Sequence, residues 1–275
     1  MSQELPADHV LLKQIVFSHP MSAAVRVESD RPYRDDASGT LTMDIYRPPD
    51  TDNAAPGPCV FLVTGYPDPG ARRLFGRPFK STGAFTSWAR ALAAAGLTAI
   101  CYENHSPNDL HDVIRYVTGN VASLNIDAQR LALWACSGHA PTALATLIAV
   151  PALKCAALFY PYTLDRAGGT EVADAAARFG FAPARGYTAS DLPLDKPLFV
   201  ARAGRDEMPG LNVALDALVS EALARDLPLT LTNHAGGMHA FDLLDNSATS
   251  RDAIRRAIRF LQDHLDREGA LADSI

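Results

Sequence analysis

Strand-like apolar segments and helical periodicities alternate along most of this chain. The run at 59–63 is continuously apolar, which is typical of a strand covered on both faces of a parallel sheet. Further strand-like segments occupy 97–102, 131–135, 155–160, 198–203 and 229–232. Helical patterns occupy 85–95, 108–124, 139–148, 211–225 and 250–265. This alternation predicts an α/β fold with a doubly wound, mostly parallel sheet.

Two regions depart from the alternation. Residues 40–46 alternate in period two, and the earlier stretch at 23–28 is a suitable partner, so we predict an N-terminal antiparallel hairpin. Residues 161–196 contain no strand pattern but hold several aromatic side chains. This insertion is interpreted either as a small cap over a site or as a surface helix with flanking loops. We predict a single domain over residues 1–275.

Composition changes this picture little. The chain has 275 residues, 48% hydrophobic and 20% charged, with a net charge of −6. No run of Lys and Arg points to nucleic acid or to an anionic membrane. Neither a signal peptide nor a membrane-spanning run is evident. The four cysteines lie in apolar segments and are interpreted as free thiols, so we expect a cytoplasmic protein.

A serine stands at the junction between a predicted strand and the helix that follows it. Residues 131–135 form the strand, Ser137 and Gly138 follow, and the helical pattern begins at His139. A sharp turn at this place lifts a serine hydroxyl away from the backbone. The helix N-terminus supplies amide donors and a positive dipole beneath it. Ser137 is therefore a candidate nucleophile.

Partners for this nucleophile follow later strands. Asp206 and His239 each lie in a loop directly after a predicted strand. A histidine can take the proton from serine, and a carboxylate can orient that histidine. Because reactive groups in open α/β sheets lie beyond the carboxyl ends of the strands, we predict that all three converge. The rival candidates are Glu207 for the acid and His234 or His139 for the base.

These segments resemble the α/β-hydrolases, and most closely the small dienelactone-hydrolase-like and esterase-like members. The resemblance rests on the strand at 41–48, the turn Gly204-Arg-Asp206 and the turn His239-Ala-Phe-Asp242. It implies the α/β-hydrolase fold and the hydrolysis of esters. The strand-to-helix turn at Ser137, called the elbow below, departs from the family pattern G-x-S-x-G, because Ala135 and His139 replace its glycines. His139 suggests a change in packing or a polar group at the pocket floor.

An acyl-transfer site also needs donors for an oxyanion. The first expected donor is the N–H of Gly138, and the resemblance points to the N–H of Tyr66 as the second. Gly65 would allow the loop to approach the elbow closely. The candidate substrate pocket then comprises Gly65, Cys136, Glu103 and His139.

Cys136 is an alternative nucleophile. A shifted elbow would read Trp134-Ala-Cys-Ser-Gly138, and dienelactone hydrolases use cysteine. A thiolate is also the stronger nucleophile. Against this register, the bulky Trp134 would occupy a position where helix and strand crowd together. We therefore favour Ser137.

The residues predict a serine hydrolase that cleaves carboxylic esters of small to medium acyl groups, with a small-molecule ester as its partner. An acyltransferase or a peptidase on the same residues is an alternative, as is a non-catalytic relative that binds a ligand. No metal-binding, dinucleotide or P-loop motif occurs, so no cofactor is expected. The sequence leaves open whether the chain is a monomer or a homodimer.

Overall fold

The computed structural model describes residues 9–36, 39–49 and 55–266. Within these residues, eight strands form one sheet in the order β1-β2-β4-β3-β5-β6-β7-β8. In the described sheet β2 pairs antiparallel with β1 and with β4, and the other five strand pairs are parallel, so the predicted mostly parallel sheet is confirmed. The strands are β1 (Arg26–Asp36), β2 (Gly39–Arg47), β3 (Gly57–Leu62), β4 (Thr98–Tyr102), β5 (Ile126–Cys136), β6 (Leu153–Phe159), β7 (Leu198–Ala203) and β8 (Leu229–His234).

Helices cover both faces of the sheet, as the doubly wound pattern predicts. One buried apolar layer holds α2 and α9, and the other holds α3, α5 and α7. No helix in the described part of the chain combines the length and apolar character of a bilayer span. The helices are α1 (Asp68–Phe75), α2 (Gly83–Ala94), α3 (Asp109–Gly119), α4 (Val121–Leu124), α5 (Ala140–Ala149), α6 (Glu171–Phe179), α7 (Leu211–Ala224), α8 (Phe241–Leu244) and α9 (Ala248–Leu265).

The predicted N-terminal hairpin is confirmed, with β1 and β2 paired from Arg26↔Arg47 to Asp36↔Gly39. Its first strand begins later than the sequence suggested, because Pro20–Ala24 forms a 3₁₀ turn. The hairpin tip at 37–38 lies outside the described residues, as do both chain ends at 1–8 and 267–275. The single domain over residues 1–275 stays a prediction.

A buried lysine ties the hairpin to the middle of the molecule. Lys80 lies in the 3₁₀ turn Phe79–Ser81 and is 3% exposed. Its ammonium group donates hydrogen bonds to Asp30 Oδ1 at 2.5 Å and Asp44 Oδ1 at 2.9 Å. Thr42 Oγ1 accepts a third hydrogen bond at 3.0 Å. These contacts fix the turn that carries Phe79, an aromatic residue that lines the site described below.

Two helices differ from the sequence prediction. The helix predicted at 108–124 is interrupted at Asn120, whose side chain donates to the carbonyl of Tyr116 at 2.8 Å. An asparagine side chain that binds nearby backbone groups competes with the helix in this way. The helix α1 was not predicted, because Pro69 and Gly70 resemble a loop and only two of its residues are buried.

The insertion at 161–196 contains α6, a 3₁₀ turn at Ala189–Asp191 and connecting loops. Its interpretation as a cap over the site stays a prediction. A third apolar cluster joins it to α7 through Tyr162, Phe181 and Leu211. The insertion is thus packed against the body of the protein by aromatic side chains.

The start of α1 is held by a buried carboxylate. Asp68 is 2% exposed, and its two oxygens accept hydrogen bonds from the backbone N–H groups of Phe79 at 2.8 Å and Asn104 at 2.9 Å. Burial raises the pKa of Asp68 to about 6, although these hydrogen bonds oppose the rise. The folded protein therefore holds this proton more tightly than the unfolded chain does.

We expect Asp68 to make the free energy of unfolding depend on pH. The protonated carboxyl stabilises the fold fully below pH 4, and this contribution of about 3 kcal/mol is lost as the pH rises through about 6. Asp68→Asn should therefore lose less stability than the wild type between these pH values. Urea unfolding at several pH values measures the difference, with the exposed Asp195→Asn as the control. Equal pH slopes for Asp68→Asn and wild type would contradict the expectation.

Candidate active site

The strand β5 ends in a sharp turn at Ser137. This residue has a φ of 49°, in the left-handed region, and begins the 3₁₀ turn Ser137–His139 that leads into α5. A residue with a Cβ adopts this conformation at a cost of about 1–2 kcal/mol. The carbonyl of Ser137 accepts a hydrogen bond from the N–H of Tyr162 at 3.1 Å, which helps to hold the turn. The serine side chain thereby leaves the line of the strand.

The structure brings the three predicted side chains together. Ser137 Oγ lies 2.9 Å from His239 Nε2, and His239 Nδ1 lies 2.7 Å from Asp206 Oδ2. Since Asp206 faces Nδ1, that nitrogen carries the proton and leaves Nε2 free to accept from the serine hydroxyl. The Asp206 side chain is fully buried, and its second oxygen accepts from the N–H of Met208 at 2.9 Å. This carboxylate is therefore fixed on both sides.

The loops that carry Asp206 and His239 are joined to each other. The N–H of Gly204 donates to the carbonyl of His234 at 2.9 Å, and the N–H of Arg205 donates to the carbonyl of Gly237 at 2.8 Å. A Cβ at Gly204 would lie 2.5 Å from the carbonyl oxygen of Ala235, so only glycine permits this approach. The parallel register of β7 and β8 thus sets the distance between acid and base.

The rival residues lie elsewhere. His234 is bound to Asp245 at 2.9 Å and to Ser250 at 3.1 Å, at the C-terminal end of β8. Glu207 is exposed. His139, the third rival, is hydrogen-bonded to the backbone of Gly65. Neither His234 nor His139 is hydrogen-bonded to Ser137.

Cys136 is adjacent to Ser137 but has a different environment. Its side chain belongs to the buried apolar layer that also contains Trp88 and Trp134. Burial raises the pKa of its thiol, which disfavours the thiolate that a cysteine nucleophile requires. The imidazole of His239 is hydrogen-bonded to Ser137 instead. The geometry therefore favours serine over cysteine.

The loop after β3 packs directly on the elbow. A Cβ at Gly65 would lie 2.5 Å from the carbonyl oxygen of Gly138 and 2.8 Å from His139 Cα. A Cβ at Gly138 would lie 2.4 Å from Tyr66 Oη and 2.6 Å from Phe181 Cδ1. Both glycines are therefore required by close packing.

The backbone amides at this junction are available to a ligand. Among the described residues, the N–H of Tyr66 has no hydrogen-bond acceptor. Gly138 is the second residue of its 3₁₀ turn, where N–H groups lack partners within the helix. An oxyanion requires unpartnered donors of this kind close to the nucleophile.

An open cavity of 790 Å³ lies over Ser137 and His239. Of the candidate pocket residues, Cys136 and His139 line it, whereas Gly65 and Glu103 do not. Its wall is largely apolar and includes the aromatic residues Tyr66, Phe75, Phe79, Phe85, Tyr160 and Phe179. The end of α6 therefore reaches the cavity, but the insertion supplies only a small part of the lining.

Glu103 is directed to another partner. Its carboxylate pairs with Arg72 at 2.7 Å, and Arg72 lies on α1. The expectation that Glu103 faces the pocket is thus not met, because an unpredicted helix supplies a cation for it. The same helix contributes Arg73 and Leu74 to the cavity.

His9 and Val10 also line the cavity, and the sequence did not indicate this role. They precede the first strand and carry no helical or strand pattern. The N-terminal segment is held in place by two hydrogen bonds, from Ile15 N–H to Ser87 Oγ at 3.0 Å and from Val16 N–H to the carbonyl of Asp242 at 2.7 Å. No local sequence signal marks such a contact.

A second buried carboxylate lies beneath His239. The ring of Tyr160 packs against the imidazole with centroids 4.7 Å apart, and its hydroxyl donates to Asp242 Oδ1 at 2.6 Å. Trp88 Nε1 donates to the other oxygen at 2.8 Å. Burial raises the pKa of Asp242, and the hydrogen bonds from Tyr160 and Trp88 oppose this rise by stabilising the charged carboxylate. Asp242 is thus linked to the imidazole of His239 through the ring of Tyr160.

Removing the Tyr160 hydroxyl should destabilise the fold. We expect Tyr160→Phe to lower the free energy of unfolding by about 2–3 kcal/mol, because a buried carboxyl loses a donor. Tyr162→Phe is the matched control, since that hydroxyl donates to the neutral carbonyl of Pro209 at 3.0 Å and should cost about 1 kcal/mol. Urea unfolding compares the two. An equal or smaller loss for Tyr160→Phe would contradict the assignment.

The sequence matches no protein-family model, and no curated protein is significantly similar to it. The structure, by contrast, is similar to solved esterases. A fungal esterase from Rhizomucor miehei has a TM-score of 0.66 at 19% identity, over 88% of this chain and 84% of that chain. Esterase LipW from Mycobacterium marinum has a TM-score of 0.64 at 20% identity, over 89% and 83%.

A third similar structure is esterase 2 from the planctomycete Thermogutta terrifontis, with a TM-score of 0.63 at 17% identity, over 91% of this chain and 96% of that chain. At these low sequence identities, the structural similarity shows a shared fold. The chain has the α/β-hydrolase fold, with the strand order, the N-terminal hairpin and the strand-to-helix turn at Ser137 described above.

Proposed function

We propose that this protein is a serine hydrolase that cleaves carboxylic esters. The observation that carries the proposal is the pair of hydrogen bonds linking Ser137 to His239 and His239 to Asp206, at the floor of an open apolar cavity. The fold shared with proteins described as esterases is consistent with it. The narrower dienelactone-hydrolase-like assignment stays a prediction from the sequence.

In the proposed mechanism, Ser137 Oγ attacks the ester carbonyl while His239 Nε2 takes the hydroxyl proton. Asp206 holds the imidazole in the correct tautomer and stabilises its positive charge. The N–H groups of Tyr66 and Gly138 bind the negative oxygen of the tetrahedral intermediate. His239 then gives its proton to the departing alkoxide, which leaves an acyl group on Ser137.

Water completes the cycle by the same route. His239 takes a proton from water, the hydroxide adds to the acyl carbonyl, and the same two N–H groups bind the oxyanion. Collapse of this intermediate releases the acid and returns the proton to Ser137. One base therefore serves both halves, which is consistent with its single position between Ser137 and Asp206.

Substituting the serine tests the nucleophile. We expect Ser137→Ala to lower kcat/KM for p-nitrophenyl butyrate by ~10⁴-fold or more, because no other hydroxyl is hydrogen-bonded to His239 among the described residues. Cys136→Ala should change it by less than about threefold, since the thiol is held in the apolar layer. Steady-state kinetics on folded variants provide the values.

Three other results would be informative. If Cys136→Ala abolishes turnover and Ser137→Ala does not, the nucleophile is the cysteine. If an alcohol or amine acceptor diverts most of the acyl group from water, the protein is an acyltransferase. Absence of turnover on any ester, together with saturable binding of an apolar ester, would identify a non-catalytic ligand-binding protein.

The cavity predicts a preference for acyl groups longer than acetyl. Its volume of 790 Å³ and aromatic wall can bury several methylenes, each favouring binding about fourfold. We expect kcat/KM to rise from acetate to hexanoate esters. Ala84→Phe, which narrows the cavity, should shift the optimum to shorter chains, whereas Leu244→Phe on the exposed surface should not. A flat profile for the wild type would contradict the prediction.

A further inference from the structure

His139 stands where the family pattern has a glycine, and its side chain meets the loop after β3. Its Nδ1 accepts a hydrogen bond from the N–H of Gly65 at 2.9 Å, and this contact is buried. We propose that His139 is a positioning residue that orients the Tyr66 amide toward the oxyanion. This inference rests on the proposed ester hydrolysis.

Gly65 is the residue whose conformation decides where the next amide points. Its N–H is bound by His139, and its carbonyl accepts a hydrogen bond from the N–H of Ala182 at 2.9 Å. In a trans peptide the carbonyl of Gly65 and the N–H of Tyr66 point in opposite directions. Fixing both polar groups of Gly65 therefore fixes the direction of the Tyr66 N–H.

The two hydrogen bonds on the backbone of Gly65 are needed because residue 65 is a glycine. A Cβ at Gly65 would lie 2.5 Å from the carbonyl oxygen of Gly138, so the close approach to the elbow excludes any other residue. Glycine has the greatest backbone freedom of all residues. The loop thus requires external partners to hold one conformation, and His139 is a partner that the elbow itself supplies.

The surroundings of the His139 imidazole keep its Nδ1 a hydrogen-bond acceptor. Its ring packs edge-on against Tyr66, Phe79 and Phe85, with centroid distances of 4.9, 5.0 and 5.3 Å. Burial lowers the pKa of His139 to about 3, so the ring is neutral near neutral pH. With Nδ1 accepting from Gly65, the ring proton lies on Nε2.

The departure from the glycine pattern then has a physical explanation. A glycine at position 139 would leave the buried N–H of Gly65 without this acceptor. The histidine fills the space between the elbow and the aromatic wall, and it satisfies that N–H. His139 also lines the cavity, but its Nδ1 is bound by the N–H of Gly65, so its effect on the oxyanion passes through the Gly65–Tyr66 peptide.

Two substitutions of His139 distinguish the effect of its hydrogen-bond acceptor from the effect of its aromatic ring. His139→Asn keeps an acceptor oxygen near the position of Nδ1, whereas His139→Phe keeps an aromatic ring and removes the acceptor. We expect His139→Phe to lower kcat by about 10- to 100-fold with KM changed less than about threefold, as for a misplaced catalytic group. His139→Asn should keep kcat within about threefold of the wild type.

Binding of a trifluoromethyl ketone provides a second readout, because its adduct with serine places a negative oxygen between the two amides. Its affinity should fall in parallel with kcat in His139→Phe and be retained in His139→Asn. A purely structural role would lower the folded fraction without lowering the affinity of the folded protein for the ketone. Equal ketone affinity in wild type and His139→Phe would overturn the proposal.

Nitrogen NMR of the wild type keeps the proposal testable if a variant does not fold. We expect an unprotonated Nδ1 on His139 and slow hydrogen exchange at the Gly65 amide. A protonated Nδ1 would overturn it. Failure of the proposed function is a different result, since the wild type itself would then show no ester turnover, whereas failure of this inference leaves the wild type and His139→Phe equally active.

Discussion

The left-handed backbone at Ser137 is the constraint on which the rest of the site depends. The central strand β5 must end and α5 must begin within one short turn, and a φ of 49° at Ser137 makes this possible. Such a conformation persists only where its surroundings hold it. Here the hydrogen bond from Tyr162 and the packing of Gly138 beneath Tyr66 do so. The hydroxyl reaches the cavity as a consequence.

The parallel sheet supplies the partners by geometry. The loops after β5, β7 and β8 leave the sheet at the same edge, so side chains distant in sequence meet there. Asp206 is fully buried and accepts one hydrogen bond from a backbone amide and one from His239, which leaves its carboxylate little freedom. His239 is held between that carboxylate and the ring of Tyr160. A serine within hydrogen-bond reach of an oriented base is the arrangement that nucleophilic catalysis requires.

The sequence predicted the strands well because strands buried on both faces are continuously apolar, as at Cys59–Val63 in and after β3. It also placed Ser137, Asp206 and His239 at strand ends, although their roles stay predictions. It could not predict α1, because Pro69 and Gly70 in this short helix are typical of a loop. The ion pair between Arg72 of α1 and Glu103 could therefore not be predicted either. Nor could it predict the contact between His139 and Gly65, since no local pattern shows which group a ring nitrogen will meet.

Covalent labelling tests the central claim most directly. A fluorophosphonate reacts with a serine only where a base and an oxyanion site activate it. We expect one phosphonyl group per chain, mapped by tandem mass spectrometry to Ser137, with no labelling of Cys136 and none after His239→Ala. Modification at Cys136, or no modification of the folded protein at all, would contradict it.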